Sequence, residues 1–185
     1  MKIAVYSGSF DPLHIGHLAI LRSICESGRF DRTYLIVSPQ NPLKSPGKSD
    51  NAFKRLEAAR EAVARHPELN VMVDDIELHL DPPQYTLNTL EALEDREKGN
   101  EFSLVIGADN LACFRMWRGY MRILSDYGVS VYPREGYDLK RIREDLLAED
   151  DNYIIDIIDA PLVNISSTEI RDMLSRGEDA SEFLM

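Results

Sequence analysis

An α/β fold, with a doubly wound, mainly parallel sheet and flanking helices, is what this 185-residue sequence predicts. Three observations carry that expectation. Short apolar runs alternate with amphipathic stretches along the whole chain, the order that builds a parallel sheet from βαβ units. The first run leads into a glycine-bearing bend and then a helical pattern, as strands do at the ligand-facing edge of such sheets. The length suffices for one substantial core and no internal repeat or low-complexity tract interrupts it, so residues 1–185 read as a single domain.

Taken in order, Ile3, Val5 and Tyr6 suit a buried strand over 3–6, and Gly8 after them permits a close ligand approach that a Cβ would hinder. Asp11-Pro12 makes a turn, after which Ile15, Leu18, Ala19, Leu21 and Arg22 follow helical spacing over 16–26. Further apolar runs place strands at 34–38, 71–73, 103–106, 129–132 and 153–158. Amphipathic spacing places helices at 52–65, 86–98, 109–115, 139–147 and 168–175. Such an alternation is Rossmann-like, with ligands expected at the C-terminal ends of the strands. The longest predicted loop, 39–51, carries Pro42, Pro46, Lys44 and Lys48, and reads either as a phosphate-side lid or as a solvated connection.

Composition narrows the class. A formal charge of −11 argues against a broad nucleic-acid surface, which needs clustered Lys and Arg, but leaves room for local phosphate binding. No apolar stretch is long enough to span a bilayer and the first residues lack a signal-peptide core, so no membrane partner and a cytoplasmic location are expected. Cys25 and Cys113 stand apart without metal-ligand spacing and read as reduced packing thiols. No carboxylate cluster marks a protein-built metal site, and a homo-oligomer is left open.

The candidate site begins at the first bend. His14 and His17 lie three residues apart around the first turn of a helix whose N-terminus offers N–H groups and partial positive charge to an anion. A histidine near its reference pKa of ~6.5 donates an N–H in either charge state, so the pair suits the phosphates of a nucleotide. Capping by one ring and packing by the other is the structural alternative. Gly107 and Asp109 end an apolar strand, where glycine admits a ligand and a carboxylate accepts ribose hydroxyls, with a helix N-cap as the competing role for Asp109. Ser166, Ser167 and Thr168 supply hydroxyls and another helix start, which also reads as a plain cap.

The run Gly8-Ser9-Phe10-Asp11-Pro12-Leu13-His14-Ile15-Gly16-His17 resembles the (H/T)xGH signature of nucleotidyltransferases, and Ile165-Ser166-Ser167-Thr168-Glu169-Ile170-Arg171 resembles the second half of that signature. Class I aminoacyl-tRNA synthetases share the His-x-Gly-His element, but their KMSKS loop and tRNA-binding domain are not visible here. Pro39-Gln40-Asn41-Pro42-Leu43-Lys44, Tyr85-Thr86-Leu87-Asn88-Thr89-Leu90 and Ile106-Gly107-Ala108-Asp109-Asn110-Leu111, with Phe114 and Trp117, are similar to segments of bacterial nicotinate-nucleotide adenylyltransferases. The resemblance then spans nearly the whole chain. Pantetheine-phosphate adenylyltransferases and glycerol-phosphate cytidylyltransferases share the broad signature and are less similar.

The resemblance implies transfer of AMP from ATP to nicotinate mononucleotide, giving deamido-NAD and pyrophosphate. It implies that His14, His17 and the Gly8, Ser9 and Phe10 backbone hold ATP phosphates, that Lys44 neutralises a substrate phosphate, and that Arg171 grips ATP from the downstream helix beside Ser166, Ser167 and Thr168. Tyr85, Thr86 and Trp117 would surround the nicotinate ring, Asp109 a ribose, and Arg134 a phosphate, with core packing and a surface ion pair the ordinary readings of Trp117 and Arg134. Mg²⁺ is expected, held mainly by substrate phosphates. A nicotinamide-mononucleotide or dual-specificity enzyme, or a regulatory protein that binds nucleotide without transfer, are the alternatives. Ser7 stands where the family commonly has glycine, and Leu43 where a histidine is frequent. The family often continues further after the last motif, so a shortened C-terminal segment is expected from the resemblance, one that spares the site motifs.

Overall fold

The computed structural model describes residues 1–39 and 52–185, so Lys44, Lys48 and the expected lid lie outside the described residues. The strands are β1 (Lys2–Gly8), β2 (Arg32–Val37), β3 (Val71–Asp74), β4 (Glu101–Gly107), β5 (Val129–Tyr132) and β6 (Ile155–Ile157). They form a six-stranded sheet in the order β3-β2-β1-β4-β5-β6, each neighbouring pair parallel. The chain therefore starts at the centre, builds outward to β3, returns beside β1 as β4 and builds outward again. Between β1 and β4 the winding reverses, which opens a crevice at the strand ends Gly8 and Gly107.

Helices α1 (Ile15–Glu26), α2 (Ala52–Ala64), α3 (Thr86–Arg96), α4 (Ala108–Ala112), α5 (Tyr120–Arg122), α6 (Leu139–Leu147) and α7 (Ser167–Ser175) complete the element order. Strand side chains alternate between faces, so Ile3 and Val5 join one core layer and Ala4 and Tyr6 the other. The first layer packs against Leu90 and Leu93 of α3, Leu111 of α4 and Leu146 of α6; the second against Leu21 and Ile24 of α1 and Leu56 of α2. Covering both faces explains why the strands read as continuous apolar runs. Each fully buried Leu or Ile contributes about 1.5–3 kcal/mol relative to an exposed one. No helix among the described residues is long and apolar enough to cross a membrane.

The expected helix over 109–115 is broken in two. Cys113 leaves helical geometry at φ −108° and ψ 15°, and a 3₁₀ turn at Phe114–Met116 then drops Phe114 fully into the core. A helical stretch not expected from the sequence begins at Tyr120 and widens into a π turn at Ile123–Tyr127. It is too short for a periodic signal, and tertiary burial of the adjacent Ile123 and Leu124 holds it. The strand expected over 153–158 contracts to β6, an edge strand with Ile157 exposed and Ile154 exposed just before it.

Candidate active site

Gly8 closes β1 and the chain bends through Ser9 and Phe10 toward α1. Phe10 sits at φ 46°, left-handed backbone that costs a non-glycine residue about 1–3 kcal/mol. Packing holds it there: the Phe10 ring is buried, edge-on to Tyr6 at 5.4 Å and to His17 at 5.2 Å between centroids. Arg55 of α2 braces the same bend, donating to the Ser9 carbonyl at 2.5 Å and the Ser38 carbonyl at 2.9 Å.

α1 then starts with a capping box made of imidazoles. His14 Nδ1 accepts the Gly16 N–H at 3.1 Å, and His17 Nδ1 accepts the His14 N–H at 3.2 Å. A ring nitrogen that accepts carries no proton, so each neutral ring keeps its proton on Nε2, which has no partner among the described residues. Burial pushes His14 down to about 4, helped by the Arg134 charge, and burial, His14 and Arg134 push His17 well below its ordinary range. Both rings are therefore neutral donors near pH 7. That narrows the sequence-based expectation of donors in either charge state, and it makes capping and ligand donation compatible roles of one ring. Gly16 is required by this arrangement, since a Cβ there would sit 2.9 Å from His14 Cε1.

β4 delivers the opposite wall. Gly107, not Asp109, is the N-cap of α4; Asp109 lies in its first turn. Asp109 Oδ1 is 3.6 Å from Arg134 Nε, and both buried atoms lack a hydrogen-bond partner. The ordinary ion-pair reading of Arg134 is thus realised only as a loose pair, with hydrogen-bonding capacity to spare on each side. Arg134 also lies over the Tyr132 ring at 5.1 Å.

The two halves of the sequence signature meet in space. Ser167 Oγ donates to the Pro12 carbonyl at 3.1 Å, while Arg171 Nη1 donates to the Asp11 carbonyl at 2.5 Å and stands 3.7 Å from its carboxylate. Ser166 caps α7, accepting the Glu169 N–H at 3.2 Å, and the Glu169 carboxylate accepts the Ser166 N–H at 2.8 Å. Thr168 Oγ1 accepts from Arg171 Nη2 at 3.0 Å. The three hydroxyls therefore seat α7 and orient Arg171.

A cavity of about 180 Å³ opens beside this turn, lined by Gly8 and Ser9 at one end and by Tyr85, Thr86 and Trp117 at another. Tyr85 is the N-cap of α3 without a side-chain cap bond, and Trp117 packs at 4.9 Å on Phe114 while its Nε1 has no partner. Packing and lining are therefore both roles of Trp117. The histidines, Asp109, Arg134 and Arg171 do not line this cavity; they gather next to it, on the α1, α4 and α7 side.

A cytidylyltransferase-like family model matches residues 5–173. A probable nicotinate-nucleotide adenylyltransferase of Flavobacterium psychrophilum is 37% identical over 100% of this chain and 92% of its own, and one of Bacteroides fragilis is 36% identical over 99% and 87%. The chain belongs to the nicotinate-nucleotide adenylyltransferase family. The nicotinic acid mononucleotide adenylyltransferase of Plasmodium falciparum, solved in complex with NaAD, shares its fold at a TM-score of 0.80 and 17% identity, covering 99% of this chain and 90% of that one.

Side chains outside the sequence motifs also shape the candidate site, and Ser7 acquires a role beyond its departure from the family pattern. Ser7, in place of the family's common glycine, donates to Glu77 Oε1 at 3.0 Å and bonds Ser38 Oγ at 2.9 Å; Thr89 Oγ1 donates to the same Glu77 oxygen at 3.1 Å. Glu77 is buried, burial raises its pKa, and it lines the cavity. Arg55 reads from sequence as an ordinary helical cation; only its burial marks it. The C-terminal end, placed by sequence outside the site motifs, lies against one of them: Leu184 bridges to His14, and Met185 N–H donates to the Leu13 carbonyl at 3.4 Å.

Proposed function

We propose that this protein transfers the adenylyl group of ATP to nicotinate mononucleotide, yielding deamido-NAD and pyrophosphate. The observation that carries the reading is the meeting of the imidazole-capped turn at 14–17 with α7 and Arg171, at the sheet's switch point and beside a cavity walled by Tyr85, Thr86 and Trp117. The names borne by the sequence relatives supply the substrate class.

In this reading a phosphate oxygen of the mononucleotide attacks the α-phosphorus of ATP. A bond forms from that oxygen to phosphorus, and the bond from phosphorus to the bridging oxygen of the β-phosphate breaks, its electron pair leaving with pyrophosphate. The attacking oxygen is already ionised near neutral pH, so no general base is required. Catalysis falls to positioning and to donors aimed at the charge that gathers on the leaving group. The Nε2–H groups of His14 and His17 and the guanidinium of Arg171 are suited to that task, with the Gly8 to Phe10 backbone as a further cradle. Asp109 Oδ1, open to a donor, suits a ribose hydroxyl. Lys44 takes the role the resemblance implies. Mg²⁺ would enter as part of the substrate Mg·ATP, whose phosphate oxygens, with water, suit its preference for oxygen ligands.

The test supplies Mg·ATP with nicotinate mononucleotide or with nicotinamide mononucleotide and measures dinucleotide and pyrophosphate. The acid should react with the higher kcat/KM, and His17→Ala should lower kcat by about a hundredfold or more, far beyond what the few-degree fall in melting temperature expected for losing a capping side chain would cause. A higher kcat/KM for the amide overturns the nicotinate assignment, and ATP binding without turnover overturns the transferase.

A further inference from the structure

Among the described residues, the lining of the cavity beside the histidine turn holds one cationic residue, Arg118, and one carboxylate, Glu77. The carboxylate is committed: it is buried and accepts hydrogen bonds from Ser7 and Thr89. The cation is not. Arg118 is exposed, lies with its guanidinium carbon 4.9 Å from the centre of the Tyr85 ring, and forms no ion pair among the described residues. In a chain with 32 Asp and Glu against 21 Lys and Arg, arginine finds a carboxylate easily: Arg96, Arg115, Arg122 and Arg176 all do.

The place of Arg118 is fixed by its neighbours. Gly119, at φ 71°, lies against Leu87 of α3 so closely that a Cβ would collide with that side chain. This contact holds the 117–119 segment to the first turn of α3, where Tyr85 and Thr86 line the same cavity. The backbone N–H groups of that turn would serve a carboxylate oxygen and an amide oxygen alike. A guanidinium would not: it offers a formal charge and donors only, which complement both oxygens of a carboxylate and leave the NH₂ of an amide facing another donor.

We propose that Arg118 is the specificity-determining residue of this cavity, its guanidinium pairing with the carboxylate on the substrate ring and so selecting the acid over the amide. The proposal rests on the adenylyl-transfer reading above and adds to it the side chain that discriminates.

The experiment measures kcat and KM for nicotinate and nicotinamide mononucleotides, at saturating Mg·ATP, on wild type, Arg118→Gln and Arg118→Lys. Arg118→Gln should lower the acid-to-amide ratio of kcat/KM by about tenfold, chiefly through a higher KM for the acid, the scale of one lost charge-assisted hydrogen bond. Arg118→Lys, which keeps the charge but not the planar fork, should fall between. A melting temperature close to wild type shows that each variant is folded. An unchanged ratio in folded Arg118→Gln, or an equal loss for both substrates, overturns the role of Arg118 and leaves the transferase standing. Failure of wild type to turn over either substrate overturns the underlying reading instead.

Discussion

At His14 and His17 one feature of each ring fixes another. The Nδ1 atoms that cap α1 are the reason the Nε2–H groups are the donors left over, and burial together with the Arg134 charge is the reason the rings are neutral. This has a consequence for stability. His14 titrates at about 4 in the fold, against ~6.5 for an exposed imidazole in the unfolded chain. Between those values the unfolded chain binds more protons, so stability rises with pH there; the contribution is complete above ~6.5 and is lost as pH falls toward 4. Melting temperatures measured from neutral pH downward should drop through this window, and less steeply in His14→Asn, which retains a capping side chain that does not titrate. Parallel slopes in the two proteins would assign the acid sensitivity to other groups. The spacing of the two histidines was legible in the sequence. Their protonation was not, because it depends on burial and on Arg134, which lies far from them along the chain.

Among the elements, α7 shows how a capping motif is placed beside the candidate site. Ile170 is its one buried residue, so little holds the helix apart from its cap and its bonds to Asp11 and Pro12. Ser166→Ala removes the cap at a cost of about 1 kcal/mol. Spread over a domain of this size, that lowers the melting temperature by about 2–4 °C at most. Fraying of the first turn should also loosen Arg171 and raise KM for ATP severalfold, with less effect on KM for the mononucleotide; equal changes in the two constants would mean that α7 does not serve ATP. The hydroxyl-rich start of this helix and its capping were legible from Ser166 to Thr168, but the bond of Ser167 to Pro12 and that of Thr168 to Arg171 were not. The α4 region shows a different limit. Its apolar spacing fits one helix, and the break at Cys113 exists because Phe114 finds its place in the core by leaving helical register.

For the whole molecule, the sheet order brings together segments that the chain keeps far apart. The end of the chain is the extreme case: Met185 is buried, its N–H bonds to Leu13, and its carbonyl accepts from Arg65 of α2. Met185→Ala should therefore destabilise the fold by about 2–3 kcal/mol, as large-to-small changes at buried sites do. If the tail also positions His14, kcat in the folded fraction at low temperature should fall severalfold; a destabilised variant with wild-type kcat would confine the tail to packing. The strand and helix alternation, both halves of the His-x-Gly-His signature and the motifs at Tyr85 and Trp117 were legible in the sequence, since periodicity, turns and motifs are local properties of the chain. That Ser167 meets Pro12, that Ser7 and Thr89 bond Glu77, that Leu184 reaches His14 and that Arg118 shares a cavity with Tyr85 became visible only in three dimensions. The physical reason is that pairing, burial and charge state depend on neighbours in space, and those neighbours are assigned by the winding of the sheet about β1 and β4.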